Sequence, residues 1–332
     1  MMNSATAAVA RPLFEKNDPL AALINPLSFR MSLHGRAQRC AERVRDHGGQ
    51  VYMVSHWTEI EQALATILQG PVGRLVIAGG DGTLQATASY LAKALAPDQL
   101  PELIVLSGGR TNYVAADVGT RREFSATLER ILASESRNLH PTARTSLHLQ
   151  HPSIGHQHGF FMAGAAVDSV IREVHHLTTK RAGWSNSRAA STLGVTRIGL
   201  KWLLGRQRFE LPDLKIETDS LGTFDGACRF LLLSTLSQKK RLVRPYARHG
   251  RGPLRVTAVR HNARALPLRL PRLLRGHFSP AMNRENGYLS GKCSSVRISN
   301  LPSITLDGQE FDLDPNTPLQ IDAGPEFRFL RV

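Results

Sequence analysis

Gly79-Gly80-Asp81-Gly82-Thr83 is the stretch whose residue types and spacing best suit chemistry. It follows an apolar run, Arg74-Leu75-Val76-Ile77-Ala78, that reads as a strand, and it opens a stretch from Thr83 to Leu95 that reads as a helix. Glycines let a backbone approach a phosphate without Cβ obstruction. The free N–H groups of the following helix start then point at the anion. Asp81 adds a carboxylate beside those phosphates, able to hold Mg²⁺ or to help deprotonate an attacking hydroxyl. The bland alternative is a tight strand-to-helix connection, and the agreement of strand, motif and helix weighs against it. A second glycine turn, Ser107-Gly108-Gly109, follows the apolar run Leu103-Ile104-Val105-Leu106.

The elements that must position these turns alternate. Strands are expected at Leu20–Ile24, Gln50–Val54, Arg74–Ala78 and Leu103–Leu106, with helices at about Leu33–His47, Glu59–Leu68, Thr83–Leu95, Asn112–Val118 and Glu123–Ala133. Ile60, Ala63, Leu64 and Ile67 lie at the spacing of one buried helix face. This alternation implies a parallel sheet covered by helices on both sides, with ligands beyond the carboxyl ends of its strands. After about residue 138 the rhythm changes to strands separated by turns: Thr145–Gln150, Gly159–Ala163, Leu214–Thr218, Cys228–Ser234, Leu254–Val259, Ser295–Ile298 and Ile304–Leu306. One helical excursion, about Ser169–Arg208, interrupts them. The expected fold is a Rossmann-like three-layer α/β nucleotide domain followed by an antiparallel β-sandwich domain. The expected division is an arm over residues 1–19, an α/β domain over 20–136, and a β-rich domain over 137–332 whose last strands pack back on the first.

Composition bounds the partners. The chain has 332 residues, 42% of them apolar, and a net charge of +15, which calls for an anionic partner. Aromatics are only 6%, which weakens the case for a base-stacking surface, and no nucleic-acid reading motif is found. Cys40, Cys228 and Cys293 lie far apart and read as buried thiols rather than a disulfide framework or zinc site. His148, His151, His156 and His158 cluster without metal-ligand spacing and read as surface histidines. The first fifteen residues lack a signal-peptide core, and no run of about 18 apolar residues is present. The expected location is cytoplasmic, peripheral on the inner face of the membrane.

The chain resembles the diacylglycerol, sphingosine and ceramide lipid kinase family over about residues 20 to 332. The GGDGT turn is shared with NAD kinases and phosphofructokinases, so other matches decide. Asn25-Pro26-Leu27-Ser28 is similar to the family's opening NPxSG, with Phe29 replacing the glycine. Gly109-Arg110-Thr111-Asn112-Tyr113 is similar to GTGND, with Arg110 and Tyr113 departing from it. The apolar stretch Phe160 to Asp168 is similar to one ending in GxGFD, and Leu306-Asp307-Gly308-Gln309 to the late DGE motif.

The resemblance implies ATP and Mg²⁺ as cofactors, with Asn25, Ser55, Gly79, Gly80, Asp81, Gly82, Thr83, Gly109, Arg110 and Asn112 lining the nucleotide site. It implies that the domain over 20–136 binds ATP and the domain over 137–332 the lipid substrate. It makes Asp81 and Asp307 the candidates for hydroxyl activation and for contact with nucleotide-bound Mg²⁺, against a plain reading of Asp307 as a turn aspartate before Gly308. Three departures bear on this. Gln309 stands where the family has a glutamate and cannot act as an anion; the neighbouring Glu310 is expected to face the other way along a strand. Arg110 is a candidate phosphate clamp, with a solvated surface arginine as the plain alternative. Arg251-Gly252-Pro253-Leu254-Arg255 matches a segment with which many bacterial relatives hold a structural Mg²⁺ through acids; here arginines replace two of them, so a guanidinium is expected in the cation's place.

A lipid substrate implies docking on an anionic membrane. Two basic-apolar stretches suit it: residues 197–208 with Arg197, Lys201 and Trp202, and residues 264–278 with Arg269, Arg272 and Arg275. Pro267 and Pro271 make the second read as a loop. The plain alternative for both is a packed helix with a solvated basic face. A homo-oligomer is open, and an NAD kinase relative and a non-catalytic binding protein are the competing functions.

Overall fold

The computed structural model describes residues 19–109, 112–118, 128, 129, 132, 140–180, 211–237 and 243–331. The first part contains β1 (Leu20–Ile24), α1 (Arg36–Asp46), β2 (Gln50–Met53), α2 (Trp57–Ile67), β3 (Arg74–Gly79), α3 (Asp81–Ala94), β4 (Glu102–Ser107) and α4 (Tyr113–Val118). The strands pair in the order β2-β1-β3-β4, all parallel. Every residue of β3 is buried, as expected for a central strand with both faces covered. Leu75 and Ile77 join the core under α2, α3 and α4, whereas Val76 and Ala78 join the core under α1, following the two-residue alternation of a strand. The expected helix Glu123–Ala133 falls largely outside the described residues.

The second part contains β5 (His140–His151), β6 (Gly155–Gly159), β7 (Phe161–Gly164), α5 (Ala165–Lys180), β8 (Asp213–Thr218), β9 (Gly222–Ser234), β10 (Leu254–Arg260), α6 (Leu266–Leu274), β11 (Tyr288–Cys293), β12 (Ser295–Ser299), β13 (Ser303–Leu306), β14 (Gln309–Asp312) and β15 (Leu319–Arg331). Two antiparallel layers enclose a core that includes Ile216, Val296 and Ile321 from one and Met162, Leu231 and Val256 from the other. Strand β9 serves both: its first half pairs with β8, its second with β7 and β10.

β15 joins the two parts. It runs antiparallel to β5 from Gln320 to Arg331, with a break in register between Ala323 and Glu326. Its early residues also pair with β12, and Phe329 lies beside Leu103 of β4, parallel to it. Phe327 and Phe329 are fully buried in the α/β core and meet the Phe160 ring edge-on.

Three sequence expectations are corrected. The single strand expected over Gly159–Ala163 is two, β6 and β7, because Phe160 turns inward between them. β11, β14 and the span of β15 are not among the expected strands: Gly291 and Gly324 interrupt β11 and β15, and β14 is only four residues, three of them polar. The 264–278 stretch is a helix, α6, despite Pro271 in its interior. Pro267 falls in the first turn, where no N–H bond is lost, and burial of Leu266 and Leu273 outweighs the bond missing at Pro271.

The β5–β6 hairpin holds α3 in place. The backbone N–H of His158 donates to Ser89 Oγ at 2.8 Å, Ser89 Oγ donates to the His158 carbonyl, and Gln85 Nε2 donates to Gln157 Oε1 at 3.0 Å. His158 is buried, not at the surface, and its ring stacks on His148 at 4.5 Å. Burial, with the neighbouring His148 and His156, pushes its pKa from 6.5 down to about 3. A group with a lowered folded pKa lets the unfolded chain take the proton first. Stability should therefore fall as pH drops below about 6.5, by about 1.4 kcal/mol per pH unit for that proton. Urea midpoints between pH 7 and pH 5 measure this, and His158→Gln should flatten the slope.

Candidate active site

The site is assembled at the carboxyl ends of the parallel strands. Asn25 follows β1, Ser55 follows β2, Gly79 and Gly80 follow or end β3, and Gly108 and Gly109 follow β4. The two glycine turns are pressed together. Gly108 N–H donates to the Gly79 carbonyl at 2.8 Å, and a Cβ on Gly108 would lie 2.8–2.9 Å from Gly79 backbone atoms. A Cβ on Gly109 would lie 2.8 Å from Gly80 Cα. These contacts are with backbone, which cannot swing aside, so only glycine fits. Thr83 covers Gly79 in the same way, with Oγ1 2.7 Å from where a Cβ would be, and accepts from Asn25 Nδ2 at 3.2 Å. Arg30 N–H donates to the Gly108 carbonyl at 2.7 Å, so the loop that follows Asn25 holds the second turn as well.

Asn112 has φ 48°, a left-handed conformation that asparagine tolerates better than most residues. Its side chain closes the second turn on itself: Oδ1 accepts from Gly109 N–H at 2.7 Å and Nδ2 donates to the Gly109 carbonyl at 2.6 Å. Asp81 opens α3 and reaches across to α4, accepting from Tyr113 N–H at 2.6 Å and Val114 N–H at 3.1 Å. A carboxylate at a helix N-terminus meets its otherwise unpaired donors and its dipole. Ser55 is placed by Glu59, whose carboxylate accepts from the Ser55 and His56 N–H groups at 2.6 and 3.4 Å and caps α2. Arg110 lies outside the described residues.

The second part supplies Asp307. It is 4% exposed, with φ 47°. Its two oxygens accept from Phe160 N–H at 2.7 Å and Phe161 N–H at 2.9 Å. Burial first, then the nearby Asp81 carboxylate, pushes its pKa well above the ordinary carboxylate value, against the pull of those two hydrogen bonds. Asp81 and Asp307, predicted from the sequence as a pair, are therefore close enough to feel each other. The Tyr113 ring packs on Phe161 at 4.6 Å, so the residue standing for the family aspartate bridges the two carboxylate loops as an apolar contact.

Gln309 leans onto the glycine turn. A Cβ on Gly82 would lie 2.8 Å from its Nε2. Glu310 points away from it: its carboxylate meets His175 Nδ1 at 2.9 Å on α5. Glu310 therefore does not stand in for the missing glutamate. Asp168, which ends the third motif, is buried and accepts from Ser303, Thr305 and Arg172. It ties α5 to β13, the strand that ends at Asp307.

Sequence reading missed Asp117 and Arg144. Asp117, near the end of α4, takes Arg144 Nε at 2.7 Å, Ser237 Oγ at 2.8 Å and Ser237 N–H at 3.2 Å. Burial pushes its pKa up, but those bonds outweigh it and hold the carboxyl below its ordinary value. Arg255 Nη1 donates to the Thr235 and Leu236 carbonyls; burial lowers its pKa, against the opposing pull of Tyr246 and Asp117. A structural cation does not fit here, because the carbonyls already receive a guanidinium. No local pattern around Asp117 marks it; only the meeting of α4, β5 and the end of β9 does.

An α/β lobe with paired glycine turns thus faces an antiparallel lobe across two carboxylates. Residues 19–142 match the model of the diacylglycerol kinase catalytic domain. Two solved structures from Bacillus anthracis str. Sterne share the fold. One, inferred to be a diacylglycerol kinase, has a TM-score of 0.64 at 14% identity, covering 94% of this chain and 96% of its own. The other, described as a diacylglycerol kinase, has a TM-score of 0.60 at 12% identity, with the same coverages of 94% and 96%. No curated protein matches the chain in sequence.

Arg255→Ala should lower stability by about 2 kcal/mol, since two buried carbonyls and Asp117 lose a charged neighbour. EDTA should leave the wild-type thermal midpoint in place. Differential scanning calorimetry with and without chelator measures both.

Proposed function

We propose that the protein is an ATP-dependent lipid kinase that transfers the γ-phosphate of ATP to the primary hydroxyl of a membrane lipid: ceramide, diacylglycerol or a sphingoid base. The observation that carries this is the approach of Asp81, on the glycine turn, to the buried Asp307 of the other lobe. The glycine turns offer backbone N–H groups to the phosphates without side-chain obstruction. Asp307 is a carboxyl whose raised pKa suits it to accept a proton from a hydroxyl near neutral pH. Asp81 and Asp307 would offer carboxylate oxygens to a nucleotide-bound Mg²⁺, which would neutralise phosphate charge. In-line transfer needs little else from the protein than positioning. The enzyme would work at the inner face of the membrane; among the described residues no helix is long and apolar enough to cross one.

One observation favours a second reading, a non-catalytic lipid- or ATP-binding relative. Gln309 rests against Gly82, and Glu310 is turned to His175, so no anion replaces the family glutamate there.

Phosphate transfer from labelled ATP to diacylglycerol, ceramide and sphingosine in mixed micelles distinguishes the two. Transfer to one lipid, reduced at least about a hundredfold by Asp81→Asn, is the expected result. ATP binding without transfer to any of the three would support the non-catalytic reading. If Asp307 takes the hydroxyl proton, it must be ionised. The kcat/KM profile should then fall on the acid side at a pH well above the ordinary carboxylate range.

A further inference from the structure

Between residues 243 and 287 the chain carries ten arginines, no lysine and a single acid, Glu285. This short stretch thus holds most of the net charge of +15. It comprises the segment leading into β10, β10 itself, α6 and the segment that returns to β11. Its fold sorts the side chains onto two faces. Leu266 and Leu273 are buried with Val259, Ala263, Met282 and Tyr288, and Leu270 and Leu274 are half-buried. Leu268, Pro271, Arg272 and Arg275 are all exposed. Their spacing of three, four and seven residues places them along one face of the helix. Leu268 is 83% exposed, the most of any large apolar side chain among the described residues. Val243, 50% exposed, precedes Arg244, whose N–H donates to the Leu274 carbonyl at 2.6 Å.

The lobe is held firmly. Tyr288 Oη donates to the Arg264 carbonyl at 2.8 Å. Arg269 donates to the Arg264 and Ala281 carbonyls at 3.0 and 2.9 Å and lies over the Tyr288 ring at 5.7 Å. Arg269, expected from the sequence to meet the membrane, is therefore used inside the lobe. On and beside α6 the outward charge comes from Arg264, Arg272 and Arg275.

We propose that this face of α6 docks the protein on an anionic phospholipid bilayer, with Leu268 entering the acyl boundary and Arg272 and Arg275 on lipid phosphates. The chemistry favours a bilayer over nucleic acid. The exposed tip is aliphatic, which gains nothing against a phosphate backbone but gains on entering lipid. The aromatic rings of the lobe, Tyr288 and Phe278, are packed inward or half-buried, leaving no platform for bases. Guanidinium groups suit bidentate contact with lipid phosphate. The inference names the membrane surface of the lipid kinase proposed above, and it rests on that reading only for its purpose, since binding is read without phosphate transfer.

The test is co-sedimentation of the full chain with phosphatidylcholine vesicles, with and without about 30% phosphatidylglycerol, a content that gives a cytoplasmic-leaflet-like surface potential. The wild type should bind the anionic vesicles at least about tenfold better than the neutral ones. Arg272→Glu/Arg275→Glu should weaken that binding by about 25-fold or more, at about fivefold for each arginine. Leu268→Asp should weaken it by about tenfold. All three side chains are exposed, so circular dichroism and thermal midpoints should match the wild type. Arg39→Glu/Arg45→Glu on the exposed face of α1 changes the charge equally and should weaken binding far less. The proposal is overturned if the α1 variant loses as much binding as the α6 variant, or if Leu268→Asp binds like the wild type. It is also overturned if the wild type ignores anionic vesicles, including the case in which it binds duplex DNA through the same arginines.

Discussion

Asp307 has one carboxylate oxygen on each of two successive backbone N–H groups, almost no contact with water, and another carboxylate, Asp81, close by. An arrangement that raises a pKa in this way opposes folding at neutral pH and is kept only where the surrounding structure over-determines it. Much of the architecture does so. The kink between β6 and β7 presents the Phe160 and Phe161 N–H groups. Gly159 leaves room for the carboxylate, since a Cβ there would lie 2.7 Å from Asp307 Oδ2. Asp168 ties α5 to β13, which ends at Asp307. β15, threading both sheets, sets the lobe that carries Asp307 against the lobe that carries Asp81.

The same economy appears on the other side of the site. Asp81 caps α4 at one end and Asp117 anchors α4 at the other, to β5 through Arg144 and to the end of β9 through Ser237. The short helix is thus a strut between the glycine turn and the antiparallel lobe. Arg255 lies beside this strut with its guanidinium on two carbonyls. A fixed organic cation has one consequence that a bound metal does not: it cannot dissociate, so this junction is independent of the divalent-ion supply.

How the site could be read in advance differs from residue to residue. Gly79, Gly80, Gly82, Thr83, Gly109 and Asn112 were legible because a phosphate-facing turn needs a missing Cβ and a few specific donors at fixed spacing, and such demands are local. Asp307 was legible only through its place in the order of motifs. That it would be buried and would feel Asp81 was not. Asp117 and Arg144 left no pattern at all, since each acts on a partner far away in the chain, and the inward use of Arg269 depends on how α6 folds against the segment that follows it.

The sequence by itself determined the alternation of strand and helix up to about residue 118, the glycine turns at the carboxyl ends of β3 and β4, and the change to antiparallel strands afterwards, because hydrophobic period and glycine placement are properties of neighbouring residues. Tertiary structure alone decided that Phe329 of β15 lies beside Leu103 of β4, that α6 stays helical through Pro271, that Gln309 lies on Gly82 while Glu310 turns to α5, and that Asp307 is buried with Asp81 near it. Those outcomes depend on which surfaces must be covered and which charges must be near each other once the chain is compact, and no window of sequence contains both partners.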